Sequence, residues 1–492
     1  LDRRSYSRAA SGRAVSVTVT DLFCGAGGSS LGAEAAGATL VMAANHWQTA
    51  IEVHQQHFPN AGHDCADISQ ADPRRYPVTD ILMASPECTN HSQARGISRR
   101  QQDPTLWDAP DPAAERSRAT MWDVVRFAEQ VHYRAIIVEN VVEATKWVLW
   151  PAWYAAMESL GYQAQIVSHN SMHHGVPQSR DRIYVVWCKA GIRPNLELEL
   201  TAYCSRCDGA QIARQAFKPG RRVGRYRAQW TWRCTTCGTV CEPATEPAAT
   251  VIDWALTCPR IGDRTRPLAT ATRARILAGL QRYGWAPITT IGAGNGHERT
   301  PGNRARPVTE PVSTQQTTAT TALATPPGFL FQTAHGGRVS PLERPHPTVC
   351  ASDDRQALAV PMRRNGHAAP TTEVLPTVTA GGNHHALLMR NNTGGAEMCT
   401  PVTEPARTIT TAGHQSLLVP DRLTVDPDAV LDDCGFRMLE PFEVAAAMAF
   451  PTGYIPRGLP KKDQVKLAGN AVTPPVMTWI MGRVMQALEA TA

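Results

Sequence analysis

Val17-Thr18-Val19-Thr20-Asp21-Leu22-Phe23-Cys24-Gly25-Ala26-Gly27-Gly28-Ser29-Ser30 is the stretch whose reading decides the architecture. Its β-branched first half predicts a strand, its glycines a tight turn, and the small residues beyond them a helix. Backbone N–H groups at such a strand–turn–helix junction can approach a ligand, so the turn reads either as a nucleotide-like cofactor loop or as ordinary structural punctuation. Further apolar runs follow at 40–44, 80–84, 135–138 and 182–187, separated by helical candidates at 120–131 and 151–160. Alternating β and α over residues 17–200 predicts an α/β fold with a doubly wound, mostly parallel sheet. The near-continuous apolar strands predict burial on both faces.

The 492 residues allow about three domains and a sizeable core. A hydrophobic fraction of 42% with 19% charged residues excludes a disordered chain. No apolar run is long enough to span a membrane. Residues 1–16 carry arginines without an apolar centre and are expected to be a disordered tail, not a secretory leader. The net charge of +6 is too small to demand a nucleic-acid partner by itself. Arginine outnumbers lysine 43 to six, which reads as a codon effect of a G+C-rich genome. Thirteen cysteines, four of them in two CxxC pairs, favour metal binding in a reducing cytoplasm over a disulfide framework.

Residues 201–245 carry those pairs. Beyond them lies a region over 246–435 in which the stretch from about 289 to 420 is rich in Thr, Pro, Gly and Asn, and a repeat of about 30 residues is visible there. Pro347-Thr348-Val349, Pro376-Thr377-Val378 and Arg407-Thr408-Ile409 are each followed by a polar turn and an apolar run, at 357–360, 386–388 and 416–419. Stacked short strands with long loops explain this texture, either as a platform or as a surface for a long ligand. From 436 to 492 the chain turns conventional again and closes with a helix predicted over 475–488.

Four further segments carry chemistry. Ser85-Pro86-Glu87-Cys88 follows an apolar run, so Cys88 falls at the carboxyl end of a strand, where α/β enzymes keep reacting groups. The long polar loop after it reads as functional or disordered, and Cys88 itself as a nucleophile or an inert buried thiol. Val138-Glu139-Asn140-Val141 ends another strand, so Glu139 can hold a ring nitrogen or simply be solvated. In Gln178-Ser179-Arg180-Asp181-Arg182, alternation places Gln178, Arg180 and Arg182 on one face, suited to phosphate or carbonyl oxygen, or to surface charge. Gly469-Asn470-Ala471-Val472 lies near the C-terminus.

In that order these motifs resemble the DNA cytosine-5 methyltransferase family. The resemblance covers 17–190 and 436–484, roughly half the chain, and is carried by the combination. It implies a Rossmann-like, S-adenosylmethionine-dependent methyltransferase domain, cytosine in double-stranded DNA as substrate, base flipping and a restriction-modification setting. Residue by residue, it implies that Phe23, Gly25 and Gly27 line the cofactor pocket and that His46 faces the cofactor ribose. Trp47 stacks on its adenine, Asp67 and Ile68 hold its edge, and Asn470 and Val472 return to the same site. Cys88 is the nucleophile, Glu139 meets the N3/N4 edge of cytosine, and Arg182 donates to its O2. Arg180 and Gln178 orient the catalytic loop and the DNA backbone. Phe436-Arg437-Met438-Leu439-Glu440-Pro441-Phe442-Glu443 resembles the family's penultimate motif, with Arg437 and Glu443 in structural positions.

Two positions depart from the family pattern. Glu87 stands where proline usually precedes the nucleophile, and a carboxylate there raises the thiol pKa unless it points away or pairs with an arginine. His46 replaces an acidic residue, and a neutral imidazole offers one acceptor nitrogen. Weaker or pH-sensitive cofactor binding between about pH 5 and 8 is therefore expected.

Cys204-Ser205-Arg206-Cys207 and Cys234-Thr235-Thr236-Cys237 have the spacing of a zinc ribbon, with Cys204, Cys207, Cys234 and Cys237 as ligands of a structural zinc. Between them lie seven arginines and Lys218, interleaved with Phe217, Tyr226, Trp230 and Trp232. This pattern suits phosphate contact and base stacking on DNA, or a simple structural staple.

The whole reads as a monomeric, cytoplasmic DNA (cytosine-5-)-methyltransferase of a bacterial or phage-infected cell. The ribbon (201–245) and repeats (246–435) select the target, with Asn383, His384, Arg390 and Asn391 as candidate base-edge donors. Glu87 and His46 keep open a DNA-binding protein that retains the fold without efficient turnover. An RNA methyltransferase with the same motifs is a further alternative.

Overall fold

Seven strands run in the order β3-β2-β1-β4-β5-β8-β6: β1 (Thr18–Leu22), β2 (Thr39–Asn45), β3 (Gly62–Cys65), β4 (Ile81–Ala84), β5 (Ala135–Asn140), β6 (Tyr162–Asn170) and β8 (Asp181–Lys189), with a two-residue β7 (Gln178–Ser179) outside this sheet. The computed structural model describes residues 17–86, 112–282, 287–291, 302–315, 317–318, 320–326, 329–332, 338–341, 356–358, 387–390, 399–401, 415–418 and 431–491. The sequence expectations for 1–16, Glu87, Cys88 and its following loop, the Pro-Thr-Val triplets, Asn383, His384 and Asn391 lie outside the described residues, as does the side chain of Arg390.

Only β8 runs against the others, pairing antiparallel with both β5 and β6. The return from β6 to β8 is too short for a crossover helix, and an antiparallel pair needs none. The rest of the sheet is parallel, as the alternating pattern predicts. Alternation sorts its side chains into two cores. Ile81, Met83, Ala135 and Ile137 face one side, where α1 (Gly28–Ala35), α2 (Gln48–His57) and the C-terminal helix pack. Leu82, Ala84, Ile136 and Val138 face the other, covered by α3 (Pro112–Val131) and α4 (Trp150–Ser159). Burial of both faces is what makes these strands read as unbroken apolar runs.

The insertion is a four-stranded antiparallel ribbon of order β11-β10-β9-β12, built from β9 (Glu199–Cys204), β10 (Gly209–Phe217), β11 (Trp230–Cys234) and β12 (Glu242–Pro243). After it come α5 (Thr270–Arg282), which precedes the loop-like stretch, and a sheet β14-β13-β16-β23. Its strands are β13 (Ile288–Ile291), β14 (Ala305–Pro307), β16 (Thr321–Thr325) and β23 (Gly435–Met438). β23 straddles the boundary expected at 435/436. β15 (Val312–Ser313) runs back to pair with β7.

The repeats appear as two sheets of identical order. β17 (Phe329–Gln332) lies between β18 (Arg338–Pro341) and β19 (Gln356–Leu358), and β20 (Leu387–Arg390) lies between β21 (Cys399–Pro401) and β22 (Gln415–Leu418). The apolar runs of the sequence repeat are β19, β20 and β22.

Closing the chain, α6 (Pro441–Ala447), α7 (Lys461–Asn470) and α8 (Pro474–Glu489) return to the main sheet. Among the described residues no helix is long and apolar enough to cross a membrane.

Candidate active site

The turn after β1 is tightly wound. Phe23, Gly25 and Gly27 all have positive φ, at 60°, 54° and 90°. Glycine tolerates this freely, whereas Phe23 is held there at a cost of about 1 kcal/mol. A Cβ on Gly27 would sit 2.8 Å from both Phe58 and the Tyr454 hydroxyl, and one on Gly28 2.0 Å from the Val472 carbonyl oxygen. Among the described residues nothing lies within 4 Å of that position at Gly25, while Gly27 makes room for the protein's own side chains. The Tyr454 hydroxyl also donates to the Ala26 carbonyl at 2.9 Å, tying the C-terminal segment to the turn.

Beneath the turn runs a buried polar chain that no motif announces. Asp21 accepts hydrogen bonds from Ser29 Oγ (2.5 Å) and Ser30 Oγ (2.7 Å). Ser30 Oγ also meets His54 Nε2 at 3.0 Å, and His54 Nδ1 meets His63 Nε2 at 2.8 Å. Burial pushes the Asp21 carboxyl up to about 6, against the opposing pull of the two serines, and pushes His54 down to about 3. The signal available in sequence was an aspartate ending a strand with two serines in the next helical turn.

The other expected cofactor residues gather at the same sheet edge, because β1, β2 and β3 are parallel. His46 is exposed, just past β2. Trp47 is half-buried against the core, and the Lys466 ammonium lies over its ring at 3.9 Å. The Asp67 carboxylate accepts from the Ser69 N–H at 3.1 Å and caps a short helical turn that begins at buried Ile68. Asn470 is exposed at the end of α7, and Val472 is buried against Gly28.

Next to this edge, Glu139 ends β5 and Arg182 begins β8. Antiparallel pairing of these strands puts them side by side, and Arg182 Nε lies 2.9 Å from Glu139 Oε1. Both side chains are mostly buried, at 16% and 11% exposure, so the pair offers a cation and a carboxylate from one enclosed place. Asn140 Nδ2 donates to the Pro86 carbonyl at 3.5 Å, a long bond that links this pair to the segment leading into Cys88.

Arg180 does not do what was expected of it. It sits at the junction of β7 and β8, where the strand alternation is interrupted, and its side chain turns inward. It is 4% exposed and donates to the carbonyls of Gly469 (3.1 Å) and Ala471 (3.2 Å). It holds the Gly469–Ala471 backbone in place. Gln178 is likewise fully buried, and neither of its amide atoms has a partner among the described residues.

In the ribbon, the sulfur atoms of Cys204, Cys207, Cys234 and Cys237 all lie within 4.8 Å of one another. Cys204 and Cys237 are 3.4 Å apart, and Cys207 and Cys234 3.9 Å. A tetrahedral zinc–thiolate site has sulfur–sulfur edges of about 3.8 Å, from metal–sulfur bonds of about 2.3 Å, so the donor set and its spacing fit zinc.

The ribbon aromatics correct the expectation of base stacking. Trp230 and Trp232 are each 1% exposed, and Tyr226 is also buried. Together they enclose His173 of the catalytic domain, to whose Nε2 Trp232 Nε1 donates at 3.0 Å. A domain of this size cannot close its own core, and these rings close it against its neighbour.

Residues 17–215 match the family model for C-5 cytosine-specific DNA methylases. The chain is similar to the type II methylase M.HgiEI of Herpetosiphon aurantiacus, 33% identical over 36% of this chain and 38% of that protein. It is also similar to the type II methyltransferase M.HhaI of Haemophilus parahaemolyticus, 30% identical over 34% of this chain and 47% of that one. The matches thus span less than half of these relatives' lengths.

Proposed function

We propose, from the match of residues 17–215 to the family model for C-5 cytosine-specific DNA methylases, that the chain is an S-adenosylmethionine-dependent DNA (cytosine-5-)-methyltransferase acting on duplex DNA. The observation that carries the reading is the enclosed Glu139–Arg182 pair beside the open turn at Gly25, with Asn140 linked to the approach to Cys88.

Gly25 and Phe23 would hold the cofactor on the open side of the turn, with Trp47, Asp67 and Ile68 around its adenine and Asn470 and Val472 closing from the C-terminus. When bound, S-adenosylmethionine supplies an electrophilic methyl group on a sulfonium. Cytosine C5 is a poor nucleophile until the Cys88 thiolate adds to C6 and pushes electron density onto C5. Arg182 donates to the cytosine O2, and Glu139 shares a proton with N3, which stabilises the ring as that density builds. A base then takes the C5 proton, the C5–C6 double bond re-forms and the thiolate is expelled. A base inside a duplex cannot reach this pocket, so it must be flipped out at a cost of a few kcal/mol.

Zinc in the four-thiolate cluster would staple the ribbon itself, joining the β9–β10 knuckle to the one after β11. Thiolate ligation and a DNA substrate both suit the bacterial cytoplasm, and a single chain supplies every group named here, so a monomer suffices. The ribbon and the repeat sheets are the candidate readers of target sequence.

The test is transfer of labelled methyl from S-adenosylmethionine to duplex DNA, with bisulfite sequencing to locate the product. Transfer to C5 of cytosine that is lost in Cys88→Ala supports the proposal. Transfer that survives this substitution, or goes to RNA and not DNA, overturns it. DNA binding without transfer by the unsubstituted protein would favour a binding protein on a methyltransferase fold.

A further inference from the structure

Of the eight basic side chains between the ribbon's outer cysteines, five are accounted for or lie far from the catalytic domain. Arg225 pairs with Glu143 (2.6 Å), Arg227 with Glu242 (2.5 Å) and Arg214 with Glu199. Arg233 donates to the Gly238 carbonyl at 2.7 Å, and Arg206 sits on a cysteine knuckle. Lys218, Arg221 and Arg222 remain, all exposed, with no acidic partner among the described residues. They share one short loop, between β10 and β11.

That loop is hydrogen-bonded within itself and anchored beside the catalytic pair. Lys218 N–H donates to Gln229 O (2.9 Å) and Arg221 N–H to Lys218 O (3.0 Å). Gly224 packs so tightly that a Cβ would lie 2.2 Å from that of Gln229. Its N–H donates to Ser168 Oγ (3.1 Å), and the Tyr226 N–H donates to Asp181 Oδ1 (2.9 Å). Asp181 is the neighbour of Arg182, and Glu143, held by Arg225, lies four residues past Glu139. The loop is therefore fastened to the chain on both sides of the Glu139–Arg182 pair, at the ribbon end opposite the cysteines.

We propose that Lys218, Arg221 and Arg222 form a phosphate-binding site that takes the duplex DNA backbone next to the extruded cytosine. This deepens the methyltransferase reading and rests on it. Three cations on a preorganised loop neutralise phosphates without reading sequence. Of the loop's aromatic neighbours, Tyr226 and Trp230 are buried and Phe217 is half-buried against Trp230, so little ring face is offered to the bases that single-stranded binders stack, and a duplex backbone is the matching partner.

The experiment measures affinity of the full-length, zinc-loaded protein for a short DNA duplex by fluorescence anisotropy across a salt series. The double variant R221Q/R222Q should bind at least about tenfold more weakly at low salt and lose about 2 from the slope of log K against log salt, one for each phosphate contact. Arg206→Gln, at the cysteine end, should leave both unchanged. An unchanged slope in the double variant, an equal change in Arg206→Gln, or a larger loss on single-stranded DNA or on RNA than on duplex DNA would overturn the site. The readout needs no catalysis. A protein with the expected slope change but no methyl transfer refutes the methyltransferase reading alone. Active protein with an unchanged slope refutes only the phosphate site.

Discussion

Gly25 and Gly28 stand three residues apart in one motif and are required for different reasons. At Gly28 the constraint is contact, because an added methyl meets the Val472 carbonyl at 2.0 Å and the backbone has no flexible end to give way. At Gly25 it is conformation, because φ is +54° with open space around it. Gly28→Ala should therefore cost about 1–3 kcal/mol of stability as it forces the 471–474 segment off the turn. Gly25→Ala should cost about 1 kcal/mol through the left-handed backbone alone. Thermal melting of the two variants, with the larger drop at Gly28, checks this. The reverse order would mean that Val472 does not pack where it is described. Arg180 carries the same lesson. Spacing marks it as a site residue, and its contacts with the Gly469 and Ala471 carbonyls make it a residue that positions the segment after α7.

Among elements, the junction of β23 and α6 holds the most exacting ion pair. Arg437 grips Glu443 through two bonds, Nη1–Oε2 at 2.7 Å and Nη2–Oε1 at 2.8 Å. Glu443 is completely buried and also accepts from the N–H groups of Glu440 and Asp253, both at 2.7 Å. It thereby caps α6 and ties the segment after the ribbon to the C-terminal return. Arg437→Ala leaves that carboxylate buried without its cation and should destabilise by about 3–5 kcal/mol. Denaturant unfolding measures it, and a loss under 1 kcal/mol would show that water reaches Glu443. The ribbon makes its own point at this scale. Its knuckle spacing and the gathering of its four cysteines were legible in sequence. The direction its aromatics face was not, because an alternating strand says which residues share a side and not which side is covered.

For the molecule as a whole, the buried histidines make stability depend on pH. Burial holds His54 and His173 near 3, against an ordinary value of 6.5. The unfolded chain then binds protons below about pH 6.5 that the folded one refuses. Their contribution is complete above that pH and falls away as the medium acidifies, by about 1.4 kcal/mol per pH unit for each histidine. Asp21 runs the other way. Its folded value of about 6 exceeds the ordinary 3.8, so the fold regains stability between pH 6 and 3.8 and offsets part of the loss. The net expectation is a loss of at least about 2 kcal/mol from pH 6.5 to 5. Calorimetric melting at the two values tests it, and an unchanged melting temperature would mean that these imidazoles reach solvent. His173 couples this loss to the ribbon, since its protonated ring can no longer accept from Trp232.

The sequence by itself determined the parallel α/β sheet, the order of the motifs along its edge and the four-cysteine cluster. Strand alternation, glycine turns and CxxC spacing are local, and local geometry places them whatever surrounds them. Only the tertiary structure decided that Gly27 accommodates side chains of the protein itself, that Arg180 turns inward and that Trp230 and Trp232 clasp His173. The same holds for which basic residues of the ribbon have no acidic partner among the described residues, namely Lys218, Arg221 and Arg222. Each of these depends on what a distant segment presents to the residue, and burial and pairing across hundreds of residues leave no periodic trace in the chain.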